Sequence, residues 1–144
     1  MRISVIGSYG IPPHQGGIEH HCAEIYPRIV GAGHKVDLYA RSSYNSDGTT
    51  RTYQGVKVIT IPSIRLKGVD ALACSAIASL MVLRKSYDII HFHALGPSLF
   101  TPLPSMLSRA KILTTCHGLD WQRAKWGAFS SRVIQQGERN AVKY

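Results

Sequence analysis

Short runs of isoleucine and valine alternate along this chain with longer stretches whose apolar residues recur every three or four positions. The short runs are Ile3–Ile6, Val36–Ala40, Val56–Ile61, Asp88–Phe92 and Lys111–Thr115, with glycine, proline or aspartate at or near their ends. Nearly continuous apolar runs of this length read as parallel strands buried on both faces. Between the first two, Ile18, Cys22, Ile25, Tyr26, Ile29 and Val30 share one helical face, which predicts a helix over 17–30 with Gly31 and Gly33 as its stop. Pro27 lacks the amide hydrogen for that ladder and crowds the carbonyl four residues back, so a kink is expected there. The stretch 41–55 is polar and reads as a loop, with Thr52 and Tyr53 extending the strand that follows. A second helix is expected over 69–85, closed by Arg84 and Lys85 at the end that favours cations. A third begins near Pro97 or Ser98 and ends about Arg109, made irregular by Pro102 and Pro104. A fourth spans roughly 129–142. Strands joined by crossover helices make an α/β fold with an open, doubly wound, Rossmann-like sheet, mostly parallel and covered by helices on both faces. The chain ends on a helix where a further strand is expected, so it is expected to be a truncated front half.

Composition narrows this picture modestly. With 144 residues and 44% hydrophobic content the chain suits one globular domain. No apolar run reaches the ~18 residues that span a bilayer. Nor does the start resemble a secretion signal, and the expected compartment is the cytoplasm. A net charge of +9, from 17 basic and 8 acidic residues, suits an anionic partner such as a nucleotide diphosphate, a lipid phosphate or a membrane face, or simply a soluble surface. No nucleic-acid-binding motif accompanies it. Cys22, Cys74 and Cys116 are few, odd in number and far apart, so neither a disulfide framework nor a zinc knuckle is indicated.

Candidate chemistry gathers where strands end. After the first strand comes Gly7-Ser8-Tyr9-Gly10-Ile11-Pro12-Pro13, then Gly16-Gly17-Ile18-Glu19 at the start of the first helix. Glycine lets a ligand approach the backbone, and free amides at a helix start favour a phosphate. The alternative is a turn that needs glycine for geometry alone. The spacing is neither a dinucleotide fingerprint nor a P-loop, which argues against a dinucleotide oxidoreductase. Asp37 argues the same way, because it lies too early in its strand to meet a ribose. His117 follows the last strand, at the edge where parallel sheets bind ligands. An imidazole there can bond a sugar hydroxyl or, protonated, offset phosphate charge. His91 and His93 share a face of the fourth apolar run and could form a metal pair, but no third ligand stands at a persuasive spacing, and a polar cleft lining is the simpler reading. His20 and His21 are adjacent on a helix and diverge. Trp121, Arg123, Lys125 and Trp126 crowd the segment after His117, able to stack on sugar, hold phosphate or pin a loop.

Taken in order, Arg2-Ile3-Ser4-Val5-Ile6-Gly7, Gly16-Gly17-Ile18-Glu19, Gly33-His34-Lys35-Val36, Gly55-Val56-Lys57-Val58, Tyr87-Asp88-Ile89-Ile90-His91-Phe92-His93 and Thr115-Cys116-His117-Gly118-Leu119-Asp120 resemble the N-terminal domain of GT-B glycosyltransferases, specifically the retaining family 4. The stretch 117–127 is similar to a bacterial, rhamnosyltransferase-like subgroup of surface-polysaccharide assembly. The resemblance implies transfer of a sugar from a nucleotide-sugar donor to an acceptor hydroxyl with retention, without a metal or other cofactor. It implies that Gly16 and Gly17 touch the donor diphosphate and that His117 sits at the reacting sugar. Glu19, His93, Asp120 and Arg123 are implied contacts to a saccharide or lipid-linked acceptor. The basic surface and the helix over 69–85 are expected to dock this otherwise cytoplasmic enzyme on an anionic membrane, the alternative being that the helix simply fills the core. The donor-binding C-terminal domain is expected to lie outside this chain, leaving 1–144 inactive alone. An epimerase of the same plan and a non-catalytic sugar- or nucleotide-binding module are the alternatives.

Overall fold

The computed structural model describes residues 1–44, 51–63, 69–119, 122 and 127–144. Its elements, in chain order, are β1 (Arg2–Ile6), α1 (Gly17–Gly31), β2 (Lys35–Arg41), β3 (Arg51–Tyr53), β4 (Val56–Ile61), α2 (Val69–Met81), β5 (Ile89–His93), α3 (Pro102–Leu107), β6 (Lys111–Thr115) and α4 (Ala128–Lys143). They form a six-stranded sheet of order β3-β4-β2-β1-β5-β6. All neighbours run parallel except β3, which pairs antiparallel with β4. The chain works outward from β1 through β2 and β4, then returns to the other side of β1 with β5 and β6. The strand order therefore reverses between β1 and β5, and the crevice at their carboxyl ends is the place such sheets bind ligands.

The five apolar runs became strands because their alternate residues feed opposite faces of one sheet. Ile3 and Val5 of β1 and Val36, Leu38 and Ala40 of β2 pack under α1 with Cys22, Ala23 and Tyr26. Ile6, Tyr39, Ile59, Ile61, Ile90 and Phe92 face the other way, onto Cys74, Ala78 and Val82. Helices thus cover both faces. α1 runs unbroken through Pro27. α2 stops four residues before the expected end, and a 3-10 turn, Val82–Arg84, completes the stretch. The prolines after β5 divide the expected third helix into a 3-10 turn, Pro97–Phe100, and α3, with Pro102 in its first turn, where no amide hydrogen is needed. α4 approaches that 3-10 turn closely at Gly137, whose added Cβ would stand 1.9 Å from the Leu95 carbonyl oxygen. Asn140 donates its side-chain amide to the Leu99 carbonyl at 2.9 Å.

Residues 51–53 differ from expectation. They do not extend β4 but fold back on it, through Gln54 (φ 45°) and Gly55 (φ 84°). Two consecutive positive φ values are the backbone of a two-residue hairpin turn.

Beneath α2, Asp37 is buried and collects three donors: Tyr87 hydroxyl at 2.7 Å, Arg2 at 3.0 Å and Lys85 at 3.2 Å. Burial alone would raise its pKa, but the bonds from Tyr87, Lys85 and Arg2 outweigh it and hold the carboxyl below the usual range. A carboxylate with a depressed folded pKa stabilises the fold above its unfolded pKa, about 3.9, and that contribution fades as pH falls through the folded value. Urea midpoints should therefore drop below about pH 4 in the native chain. They should drop less steeply in Asp37→Asn, which should already be weaker by about 1.5–3 kcal/mol at pH 7.

Candidate functional site

β1 is followed by Gly7, which takes φ 107° and lies against β5 so closely that a Cβ there would stand 2.2 Å from the His93 carbonyl oxygen. From this point the glycine-rich loop leaves the sheet. Its start is tied to the first turn of α1: Glu19, 2% exposed, accepts the Tyr9 amide hydrogen at 2.8 Å and the Ser8 hydroxyl at 3.5 Å. Farther along, the Tyr44 hydroxyl accepts the His14 amide hydrogen. Gly16 takes φ 93°, a conformation that favours glycine, and a Cβ on it would collide with Glu19 Oε2. Gly17 is different. It is exposed and helical, and a Cβ on it would meet none of the described residues within 4 Å. Folding geometry explains the first glycine of this pair and not the second.

Beside the loop stands a cluster of imidazoles. His91 and His93 project from β5 toward α1 with ring centroids 4.2 Å apart. The Tyr26 hydroxyl, from α1, lies 2.8 Å from His91 Nδ1 and 2.6 Å from His93 Nε2. His93 Nδ1 lies 2.8 Å from His117 Nε2, and His91 Nε2 lies 2.7 Å from the Thr115 hydroxyl. His21, one turn into α1, sets its ring 5.5 Å from that of His93 and 5.1 Å from that of His117. The helix that begins at Gly17 and the imidazole beyond β6 thus share one edge of the sheet, with His21 between them. The backbone turns sharply here too: Ala94, just past His93, takes φ 71°, strained for a residue with a side chain.

Burial governs the protonation of this cluster. His93 is fully buried, and burial, with His91, His117 and His21 nearby, pushes its pKa down to about 2. Burial, then His21 and His117, brings His91 to about 4. Both rings are neutral at pH 7. The Tyr26 phenol is driven well above its ordinary value, first by burial and then by Cys22, so it keeps its proton. One hydroxyl proton serving two ring nitrogens forces opposite senses on the two bonds. Either Tyr26 donates to His91 and accepts from His93, in which case His93 Nδ1 accepts from His117. Or every bond in the chain from Thr115 to His117 runs the other way. The proton arrangement of His117 is therefore coupled to a hydroxyl buried beneath it.

Of the residues singled out in the sequence, Gly16, Gly17, Glu19, His93 and His117 come together at this edge. Glu19 and His93 are shielded from solvent, Glu19 bonded to the loop at Tyr9 and His93 to the His117 ring. Asp120 and Arg123, with Trp121, Lys125 and Trp126, lie outside the described residues. Sequence reasoning missed Tyr26, which reads as one more apolar-face residue, and His21, set aside because it diverges from His20. It also found no third ligand beside His91 and His93. The partners arrive from α1 and from beyond β6, and no local spacing signals them. A small cavity lined by Gly7, Ser8, Arg41, Cys74 and Ser75 lies on the α2 side of the sheet, away from the histidines.

A doubly wound domain with a glycine-rich loop and an imidazole cluster at its strand-order reversal belongs to the open α/β class, in which that reversal is the usual place for a ligand. The sequence matches the Glycosyltransferase Family 4 domain over residues 15–142, and the chain belongs to that family. Among solved structures it is similar to sucrose-phosphate synthase from Thermosynechococcus elongatus, at 19% identity and a TM-score of 0.75 over 99% of this chain. At that identity the likeness speaks for the fold alone, and the chain spans 40% of that structure's length. No curated protein matches the sequence. Among the described residues, no helix is long and apolar enough to cross a membrane.

Proposed function

We propose that this chain is the acceptor-side half of a retaining glycosyltransferase that moves a sugar from a nucleotide-sugar donor to an acceptor hydroxyl. The observation that carries the reading is Gly17 beside the His21–His93–His117 cluster, in a family 4 domain. No steric clash demands glycine at position 17, and a glycine there lets a ligand approach the backbone closely. In this reading the amides of Gly16 and Gly17 at the start of α1 hold the donor diphosphate. His117 meets a hydroxyl of the reacting sugar or steadies charge that develops beside it. Glu19 keeps the loop in place, and His93 sets the orientation of His117. Asp120 and Arg123 contact the acceptor, a saccharide or a lipid-linked sugar of cell-surface polysaccharide or glycolipid synthesis, with rhamnosyl transfer the expected subclass. Transfer needs no metal or cofactor in this reading. A second domain supplies the rest of the donor site, so 1–144 alone should turn over little or no sugar nucleotide and should bind one weakly. The net charge of +9 suits docking of the enzyme on the cytoplasmic side of an anionic membrane, and sedimentation with anionic but not neutral vesicles tests that part.

The experiment is a titration of isotope-labelled chain with UDP-, GDP- and dTDP-sugars and with NAD, followed by amide chemical shifts. Shifts should concentrate on 16–21 and 117–119 for a sugar nucleotide and stay away from them for NAD. Gly17→Ala should leave the thermal midpoint unchanged and weaken sugar-nucleotide binding at least about tenfold, since a methyl group at a phosphate-contacting amide removes a charge-assisted bond. Shifts confined to another face, or a Gly17→Ala chain that binds as well as the native one, would overturn the reading.

A further inference from the structure

We infer that His21, His93 and His117 form a binding site for a transition-metal dication of the zinc type. The three residues come from α1, the last position of β5 and the segment after β6, and the ring nitrogens they offer all lie within 4.8 Å of one another. Three nitrogens at ~2.0–2.1 Å from a tetrahedral zinc stand roughly 3.3 Å apart. The observed 2.8 Å between His93 Nδ1 and His117 Nε2 needs to open by only a few tenths of an ångström. His117 and His21 are half-buried, whereas His93 is enclosed by the core.

The support behind the ligands is of the kind metal sites use. A ligating histidine commonly donates its other ring N–H to an acceptor that fixes tautomer and orientation. Tyr26 stands at His93 Nε2 at 2.6 Å and can accept that hydrogen, turning the Nδ1 lone pair toward His117 and His21. Tyr26 then donates to His91 Nδ1 at 2.8 Å, and His91 donates from Nε2 to Thr115 at 2.7 Å, so every polar atom of the support is satisfied. Among the described residues no carboxylate joins the cluster: the nearby Glu19 is spent on Tyr9 and Ser8. An all-imidazole set selects zinc, cobalt, nickel or copper over magnesium and calcium, and three protein ligands leave a coordination position open. The inference stands apart from the proposed transfer, which needs no metal, and concerns what else these rings hold.

Titrating untagged chain with Co²⁺ tests the site, because tetrahedral Co²⁺ absorbs visible light far more strongly than the hexaaqua ion. The expected result is a saturable tetrahedral spectrum at one equivalent, abolished by Zn²⁺ and untouched by Mg²⁺. His21→Ala and His117→Ala should each weaken binding at least tenfold, with circular dichroism confirming that each variant folds. Should either variant fail to fold, ring ¹⁵N shifts of the native chain with Zn²⁺ decide: perturbation of His21, His93 and His117 supports the site. Absence of the tetrahedral spectrum, native affinity in both variants, or shifts only on His14, His20 and His34 would overturn it.

Discussion

Gly7→Ala should destabilise the domain by about 2–6 kcal/mol, a large fraction of the ~5–15 kcal/mol that holds a typical domain folded. Two separate penalties combine. The φ of 107° lies in the region side-chain-bearing residues avoid, which costs about 1–3 kcal/mol. The added Cβ also lands 2.2 Å from the His93 carbonyl oxygen and 3.1 Å from Pro97 Cγ. The first of these is backbone of the neighbouring strand, so relief means shifting β5 against β1, and overpacking of this kind costs about 1–3 kcal/mol more. Urea denaturation of the two chains measures the loss. Gly17→Ala is the internal comparison, since nothing lies near its Cβ and its helical backbone suits alanine. A Gly7→Ala chain as stable as the Gly17→Ala chain would show that β1 and β5 have slack at the strand-order reversal. The expected shift also carries function, because the strand that must move is the one bearing His93.

The elements that proved legible in the sequence were those whose stability is written locally. Five Ile- and Val-rich runs became β1, β2, β4, β5 and β6 with ends within two residues of expectation, and in the first four the reason is that buried parallel strands demand unbroken apolar stretches, whereas β6 lies at the sheet edge with Leu113 half exposed. What escaped notice depended on distant partners. β3 is a three-residue strand, Arg51–Tyr53, with no apolar run of its own, held by pairing across a turn at Gln54 and Gly55. Lys85 was expected to close α2, but its ammonium reaches Asp37, 48 positions away, and the chain has already tightened into a 3-10 turn. The same divide runs through the site. Gly16, Gly17 and His117 are visible as a loop and a strand end, whereas Tyr26 meets His93 across 67 positions. Helical periodicity assigned Tyr26 to the core, and it is in the core, fully packed, yet its hydroxyl joins two imidazoles. A buried tyrosine needs a partner for that oxygen, and two histidines on one strand face were the available candidates.

In the proposed enzyme, with a donor-binding half completing the site, His117→Ala should lower kcat about 10²–10³-fold, the loss expected when one polar group aimed at developing charge is removed. Affinity for the donor should change far less, because in the proposed reading the diphosphate is held by the amides at the start of α1. The variant has a structural cost to separate from the chemical one. Removing the ring strips His93 Nδ1 of its 2.8 Å partner inside a buried cluster, worth about 1–3 kcal/mol of stability. His117→Gln distinguishes the two. A glutamine can restore a hydrogen bond toward His93 but cannot act as an imidazole, so it should recover most of the thermal midpoint and little of the rate. Rate recovering along with stability would mean that His117 acts only as a brace for the cluster. Loss in KM with kcat intact would move it from the reacting sugar to ground-state binding. His20→Ala, one residue along α1 and turned to solvent, is the control that should leave both constants unchanged.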